Sequence, residues 1–313
     1  MAAFYARRLI QLIPVGFGIT LVVFLLIRLI PGDPARVILG IHATPELVRE
    51  VRQNLGLNRS LPEQYWIFLK HLVRGDLGHS YFYSSSVARL VLDRVMPTVF
   101  LLGYAALLTA LIAVPTAIVA ALKRNTIWDQ LARFTFVFGV GLPSYWLGIV
   151  LVLLLSIKVR VFPVAGYGTG FPGHVRYLFL PAVTIALSLV PLVLRALRAS
   201  MTETLQADFV DTARAKGLPQ PVILVRHVVR TALMPAVTVL GLNIGYLVGG
   251  TVIIENVFAV PGLGQLMINS IGTRDYPTVQ GVTLVFAVLV VLVNLLTDSV
   301  YLLLDPRVRG HLR

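Results

Sequence analysis

Six apolar runs punctuate the chain, at residues 9–30, 98–122, 134–157, 178–197, 232–254 and 279–304. Each is near the ~20 residues that carry a helix across a bilayer, so the pattern predicts an all-α integral membrane protein with six spans. The first run is interrupted only by Gln11 and Arg28 and ends at Pro31-Gly32-Asp33-Pro34. It is longer than the apolar core of a signal peptide and lacks a small-residue cleavage site, so it reads as an uncleaved first span. Pro115 and Pro143 fall inside the second and third runs and predict kinks there.

Two polar stretches interrupt the pattern. In the first, residues 31–96, Thr44 can cap a helix with Pro45 at its first position and Gly56 at its end. Leu47, Val48, Val51 and Leu55 share one face of that helix. A second amphipathic helix starts near Pro62 and carries Tyr65, Trp66, Phe68, Leu69 and Leu72. Both are expected to pack on the membrane surface or on each other, with contact to an external partner as the other use. The second stretch, residues 206–235, has helix-forming composition from Gln206 to Lys216, then Gly217 where a left-handed residue would end a helix. Pro219 and Pro221 prevent simple continuation, and a second helical run follows over 222–232. Helix, break and helix make a rigid protrusion that a soluble partner could grip.

Composition agrees with a membrane protein: of 313 residues, 57% are hydrophobic and 13% charged. That is more apolar surface than a soluble domain of this size could hide. The absence of Cys removes disulfides and thiol chemistry. A formal charge of +13 would suit nucleic acid, but the positive residues crowd the loops on one side, which argues against it. With the amino terminus inside, the inner segments carry 14 Lys and Arg against four in the short outer loops (Lys158, Arg160, Arg176, Arg274). This predicts that both termini and the 206–235 protrusion are cytoplasmic.

Little in the chain points to chemistry of its own. It has no Gly-x-x-x-x-Gly-Lys-Ser/Thr, and its six His fall outside the spans without metal-ligand spacing. Arg28, Arg195, Glu255 and Asp298 sit near predicted span ends, whereas an ion-coupled carrier would keep acidic groups near the midplane. No catalytic residue, metal site or resident cofactor is therefore expected, and the driving force should come from outside this chain. Gly241, Gly245 and Gly249 recur at every fourth residue of the fifth span and would let two helices approach closely, within this chain or across a symmetric or pseudo-symmetric pair of chains. Asn243 and Tyr246 beside them, and Asn294 in the sixth span, need hydrogen-bond partners in apolar surroundings and are candidate pathway or gate residues. Pro143, Ser144 and Tyr145 join them, because a proline kink can widen a cavity, although packing is the simpler explanation.

Three stretches resemble one family. Asp211-Thr212-Ala213, followed after three residues by Gly217, is similar to the Glu-Ala-Ala loop of ATP-binding-cassette (ABC) importer permeases. Asp211 and Thr212 replace the Glu and the first Ala, and Val229-Arg230 stands where the general pattern has Leu-Pro. The runs FVDTARAKGL and RHVVRTALMPAVT instead resemble the dipeptide/oligopeptide/nickel branch. PGDP, LGLNRSLPEQYWIFLKHLVRGDLGHS and VLDRVMPTVFL follow that branch's order and spacing. The stretch from Glu255 through Phe258, Pro261, Gly262 and Gly264 to Arg274 and Asp275 looks like its ExxF-x-x-PGxG…RDxP signature.

The resemblance implies a type I ABC importer permease fold. Residues 1–30 would be the first span, 31–96 an external region, and 97–313 the core, with a cytoplasmic coupling loop at 198–233. It also implies import of di- or oligopeptides, with nickel chelate or glutathione as alternative cargo; a stand-alone carrier or channel is the competing class. Phe209, Val210, Asp211, Thr212, Ala213, Arg214, Ala215, Lys216 and Gly217 would couple to the ATPase, with Phe209, Val210 and Ala213 as its apolar contact. The 255–275 signature would lie on the external side, close to the binding-protein face, while a purely structural re-entrant loop fits its residues equally well. The implied partners are a second homologous permease, two ATP-binding subunits holding ATP and magnesium, that binding protein, and the lipid bilayer.

Overall fold

The computed structural model describes residues 2–28, 33–54 and 56–304. Among them the helices are α1 (Ala2–Arg28), α2 (Pro34–Leu39), α3 (Pro45–Asn54), α4 (Leu61–Val73), α5 (Val87–Leu122), α6 (Ile127–Gly141), α7 (Ser144–Leu151), α8 (Gly170–Thr204), α9 (Asp208–Ala215), α10 (Gln220–Val222), α11 (Arg230–Val257), α12 (Leu263–Gly272) and α13 (Tyr276–Leu304). Two π-helical segments, Val152–Lys158 and Ile223–Val229, continue α7 and join α10 to α11. The antiparallel pair β1 (His79–Ser80) and β2 (Ser85–Ser86) is the only sheet among the described residues.

Among the described residues, four helical stretches are long and apolar enough to cross a membrane: Val87–Leu122, Gly170–Thr204, Gln220–Asn243 and Tyr276–Tyr301. The expected third span is corrected by the structure. Leu142 (φ −97°, ψ 126°) and Pro143 (ψ 130°) are extended and separate α6 from α7, where a single kinked helix over 134–157 was expected. Proline disfavours helical geometry in the residue before it and supplies no N–H, so the chain breaks here instead of bending.

The chain divides into two compact units. The first holds Phe100–Phe258 and the chain from Leu292 onward. Its core is built from small residues of α5 (Ala113, Ala117, Ala120), Ala132 of α6, Leu194, Leu197 and Met201 of α8, and Ala232 and Ala236 of α11. Alanines at helical spacing let the backbones approach, and close packing then replaces bulk as the source of attraction. Gly241 extends the same rule, since a Cβ there would collide with Thr297 of α13. Gly148 of α7 likewise leaves room for the Phe258 ring.

The second unit holds Ala2–Val99 and Ala259–Val291. The α3 face drawn from the sequence is used as expected for Leu47, Val48 and Val51, which pack with Ala35 and Leu39 of α2 and with Tyr81 and Tyr276; Leu55 lies outside the described residues. Gly56 (φ +60°) closes α3. The Ser60 N–H donates to Glu63 Oε2 at 3.1 Å at the start of α4. That helix packs on α1: Tyr65 sits edge-on to Phe17 and Phe24 at 5.5 and 5.2 Å between centroids. Its hydroxyl lies 2.7 Å from Thr20 Oγ1.

Candidate functional site

Helix α9 sits between the end of α8 and the break before α10. Asp208 and Asp211 occupy its first turn and Arg214 its last, each opposing the partial charge of the helix end it occupies. Arg214 Nη1 also donates to Asp211 Oδ1 at 2.9 Å. At the C-terminus Gly217 takes φ +75°, and the Leu218 N–H donates to the Ala213 carbonyl at 3.2 Å. This is the left-handed closure the sequence predicts. Nothing lies within 4 Å of where a Gly217 Cβ would be, so the requirement for glycine comes from the backbone and not from crowding.

The two faces of α9 differ sharply. Val210 and Ala213 are buried in the core of the first unit. Phe209, Asp211, Thr212, Arg214, Ala215, Lys216 and Gly217 are exposed, Phe209 by 44%. The expected apolar contact with a partner is therefore corrected for Val210 and Ala213. Eight residues make barely two turns, and a helix that short holds its position only by burying one stripe in its own bundle. The sequence reading missed Leu218, Val222 and Val225, which extend the exposed apolar surface of this segment. Val222 and Val225 stand in an unbroken apolar run, 222–225, so spacing gave no signal of which members face outward.

The stretch 255–275 is turned the other way. Glu255 and Phe258 are 0% and 2% exposed. The Phe258 carbonyl accepts the Gly166 N–H at 3.0 Å. Gly262 precedes α12 with extended geometry, and Thr98 Oγ1 accepts the Leu263 N–H at 2.9 Å. Asp275 is buried and accepts hydroxyl hydrogen bonds from Ser80 and Thr278, both at 2.6 Å. Its own N–H donates to the Ser270 carbonyl at 2.8 Å. Most of the side chains expected on a partner-facing loop are thus turned into the chain itself. Glu255, Phe258, Gly262, Gly264 and Asp275 are buried, Pro261 is half-buried, and Arg274 alone of the seven is exposed. Polar groups in a chain that doubles back through a packed region need partners, and these residues supply them.

The candidate pathway residues do not converge on one described feature. Pro143 and Tyr145 are exposed, Ser144 is half-buried and Asn294 is exposed. Asn243 donates to the Val239 carbonyl of its own helix at 2.7 Å, which answers its need for a partner. The Tyr246 side chain lies outside the described residues. A polar pair that the sequence did not suggest joins α6 to α8: Arg198 holds the fully buried Asp129 through two hydrogen bonds, one of them Nη2 to Oδ2 at 2.8 Å. Asp129 also accepts the Asn125 N–H at 3.1 Å.

Residues 113–310 match the family described as "Binding-protein-dependent transport system inner membrane component". Residues 1–102 match the N-terminal membrane component of the same transport systems. The chain is 36% identical over 309 residues to the glutathione transport system permease protein GsiC of Pectobacterium atrosepticum, covering 99% of both chains. It is 34% identical, at the same coverage, to GsiC of Escherichia coli strain K12. Among solved structures it superposes on the inward-facing MetNI methionine ABC transporter with a TM-score of 0.56 and 17% identity, over 69% of this chain and 96% of that one. An amino acid ABC transporter gives a TM-score of 0.51 at 14% identity, over 67% and 92%. Likeness at such low identity establishes a shared fold.

Proposed function

Because the chain belongs to the family of binding-protein-dependent transport system inner membrane components, we propose that it forms half of the transmembrane pathway of an ABC importer for short peptides. Glutathione is itself a tripeptide, so the cargo named for the GsiC relatives falls inside this class and is the favoured member of it. The chain acts as a transport permease and leaves ATP hydrolysis to partner subunits. A second homologous permease completes the pathway, two ATP-binding subunits carry ATP and magnesium, and an external binding protein delivers the cargo. Six spans with both termini cytoplasmic put α9 on the ATPase side, in agreement with the distribution of Lys and Arg.

The observation that carries the coupling role is the two-faced burial of α9. Val210 and Ala213 lock it to the bundle, while Phe209, Asp211, Thr212, Arg214 and Lys216 stand free. A lever must be fixed at one surface and available at the other. Movement of the ATPase subunits would then tilt the helices behind α9 and alternate access to the pathway.

The test uses the assembled transporter in lipid, with ATPase activity measured against increasing glutathione-loaded binding protein. Gly217→Val forces a β-branched residue into left-handed geometry and should flatten that stimulation while the subunits still assemble. Stimulation equal to the parent's in an assembled Gly217→Val complex would refute the coupling role. Stimulation by unrelated short peptides with none by glutathione would move the cargo within the class.

A further inference from the structure

The second unit holds a partly open pocket of about 400 Å³, a size that takes a small-molecule ligand. None of its lining residues belongs to α9, and it has no part in the coupling role proposed above. Its walls are of two kinds. Phe24 of α1 with Ile67 and Phe68 of α4 make an apolar side, and His71, Asp76 and His79 make a polar one. Asp76 is the only Asp, Glu, Lys or Arg in the lining, and its carboxylate is paired with the His71 ring.

That carboxylate is held in place. Oδ1 accepts the Gly78 N–H at 2.9 Å and Oδ2 lies 2.7 Å from His71 Nδ1. Each oxygen can accept a second hydrogen bond. The Gly78 N–H foremost, and then His71, hold the acid below its ordinary range against the opposing effect of burial, so it is ionised. The glutamine amide nitrogens in the lining are already engaged: Gln64 Nε2 donates to the Arg59 carbonyl at 2.9 Å, and Gln280 Nε2 to the Val23 carbonyl at 2.5 Å. An anionic ligand would meet a like charge, whereas an ammonium group can donate to the second acceptor site on each carboxylate oxygen and add a positive charge beside it.

We propose that this cavity binds a small molecule with an apolar body and a protonated primary amine, the amine on Asp76 and the body against Phe24, Ile67 and Phe68. Because Pro277 and Gln280 at the start of α13 also line the cavity, an occupant bridges α1, α4 and α13 and stiffens the unit.

The experiment uses the assembled transporter in lipid nanodiscs without binding protein, titrated calorimetrically with 2-phenylethylamine, 2-phenylethanol and 3-phenylpropanoate. The amine should bind at least about tenfold more tightly than either analogue, the scale of one charge-assisted hydrogen bond. Asp76→Asn should erase that preference. Ser86→Trp, placed at an exposed position that lines the cavity, should abolish binding by occupying the space, and it covers the case in which Asp76→Asn fails to assemble. Equal binding of amine and alcohol, no binding of the amine, or undiminished binding in either assembled variant would overturn the proposal.

Discussion

Two stretches of this chain look alike as sequence and are opposite as structure. Residues 208–217 and 255–275 each carry a family pattern of charged, small and glycine residues between apolar helices. In the first, most of the pattern faces outward and only Val210 and Ala213 are buried. In the second, five of the seven pattern residues are buried and only Arg274 is exposed. A residue pattern records that positions matter; burial tells which of them are free to meet something outside the chain. Asp211 and Asp275 make the contrast sharpest, one on an open face in a local ion pair, the other closed in by two hydroxyls.

The comparison can be broken at several points. The largest effect is expected for Asp275→Ala, which leaves the buried Ser80 and Thr278 hydroxyls without their acceptor at roughly 1–3 kcal/mol each. The yield and thermal stability of the assembled transporter should fall together; a fully stable variant would show that this stretch is not scaffold. Next comes Gly217→Ala, where the left-handed backbone costs about 1 kcal/mol or somewhat more and nothing crowds the added methyl. Here the stability loss should be modest and the loss of cargo-stimulated ATPase large. Phe209→Ser removes an exposed ring, so melting should shift by no more than about 0.5 kcal/mol while less ATPase subunit co-purifies. A stability loss as large as that of Asp275→Ala would make Phe209 part of the bundle.

The smallest effect calibrates the others. Asp33 caps α2 and accepts a hydrogen bond from Arg52 Nη2 at 2.8 Å, which more than anything else holds its carboxyl below the ordinary value. The contribution is present above the unfolded carboxylate range and is lost as pH falls through the lowered folded value. Melting curves of the parent and Asp33→Asn should therefore differ slightly at neutral pH and converge in acid. Arg52 is largely solvated, so a wide gap at neutral pH would mean that an exposed pair here exceeds the usual surface scale.

Helix positions were legible wherever a single run of chain decides them. The runs 98–122, 178–197, 232–254 and 279–304 fall within helices, and the α9–Gly217 closure follows from local rules about glycine and proline. The break at Leu142 was misjudged because a proline inside an apolar run is compatible with both a kink and a gap, and packing of the neighbours selects between them. Which side of α9 faces inward was legible in principle, since Val210 and Ala213 lie three apart. The inward turn of 255–275 was not, because Asp275 finds Ser80 across 195 positions. Asp129 and Arg198 are 69 apart for the same reason. Spacing along the chain carries no information about such pairings.

The seven-residue π segment Ile223–Val229 lies where the loop after α9 becomes α11. A stretch that short corresponds to one surplus residue worked into an otherwise regular coil. Shortening the chain by one within 223–229 should restore ordinary winding and leave both flanks facing as before. The same deletion farther along α11 would rotate everything beyond it by about 100°. Tolerance to single-codon deletion should therefore be concentrated in this segment, which marks it as the place where the length of the fifth helix was adjusted without disturbing what it touches.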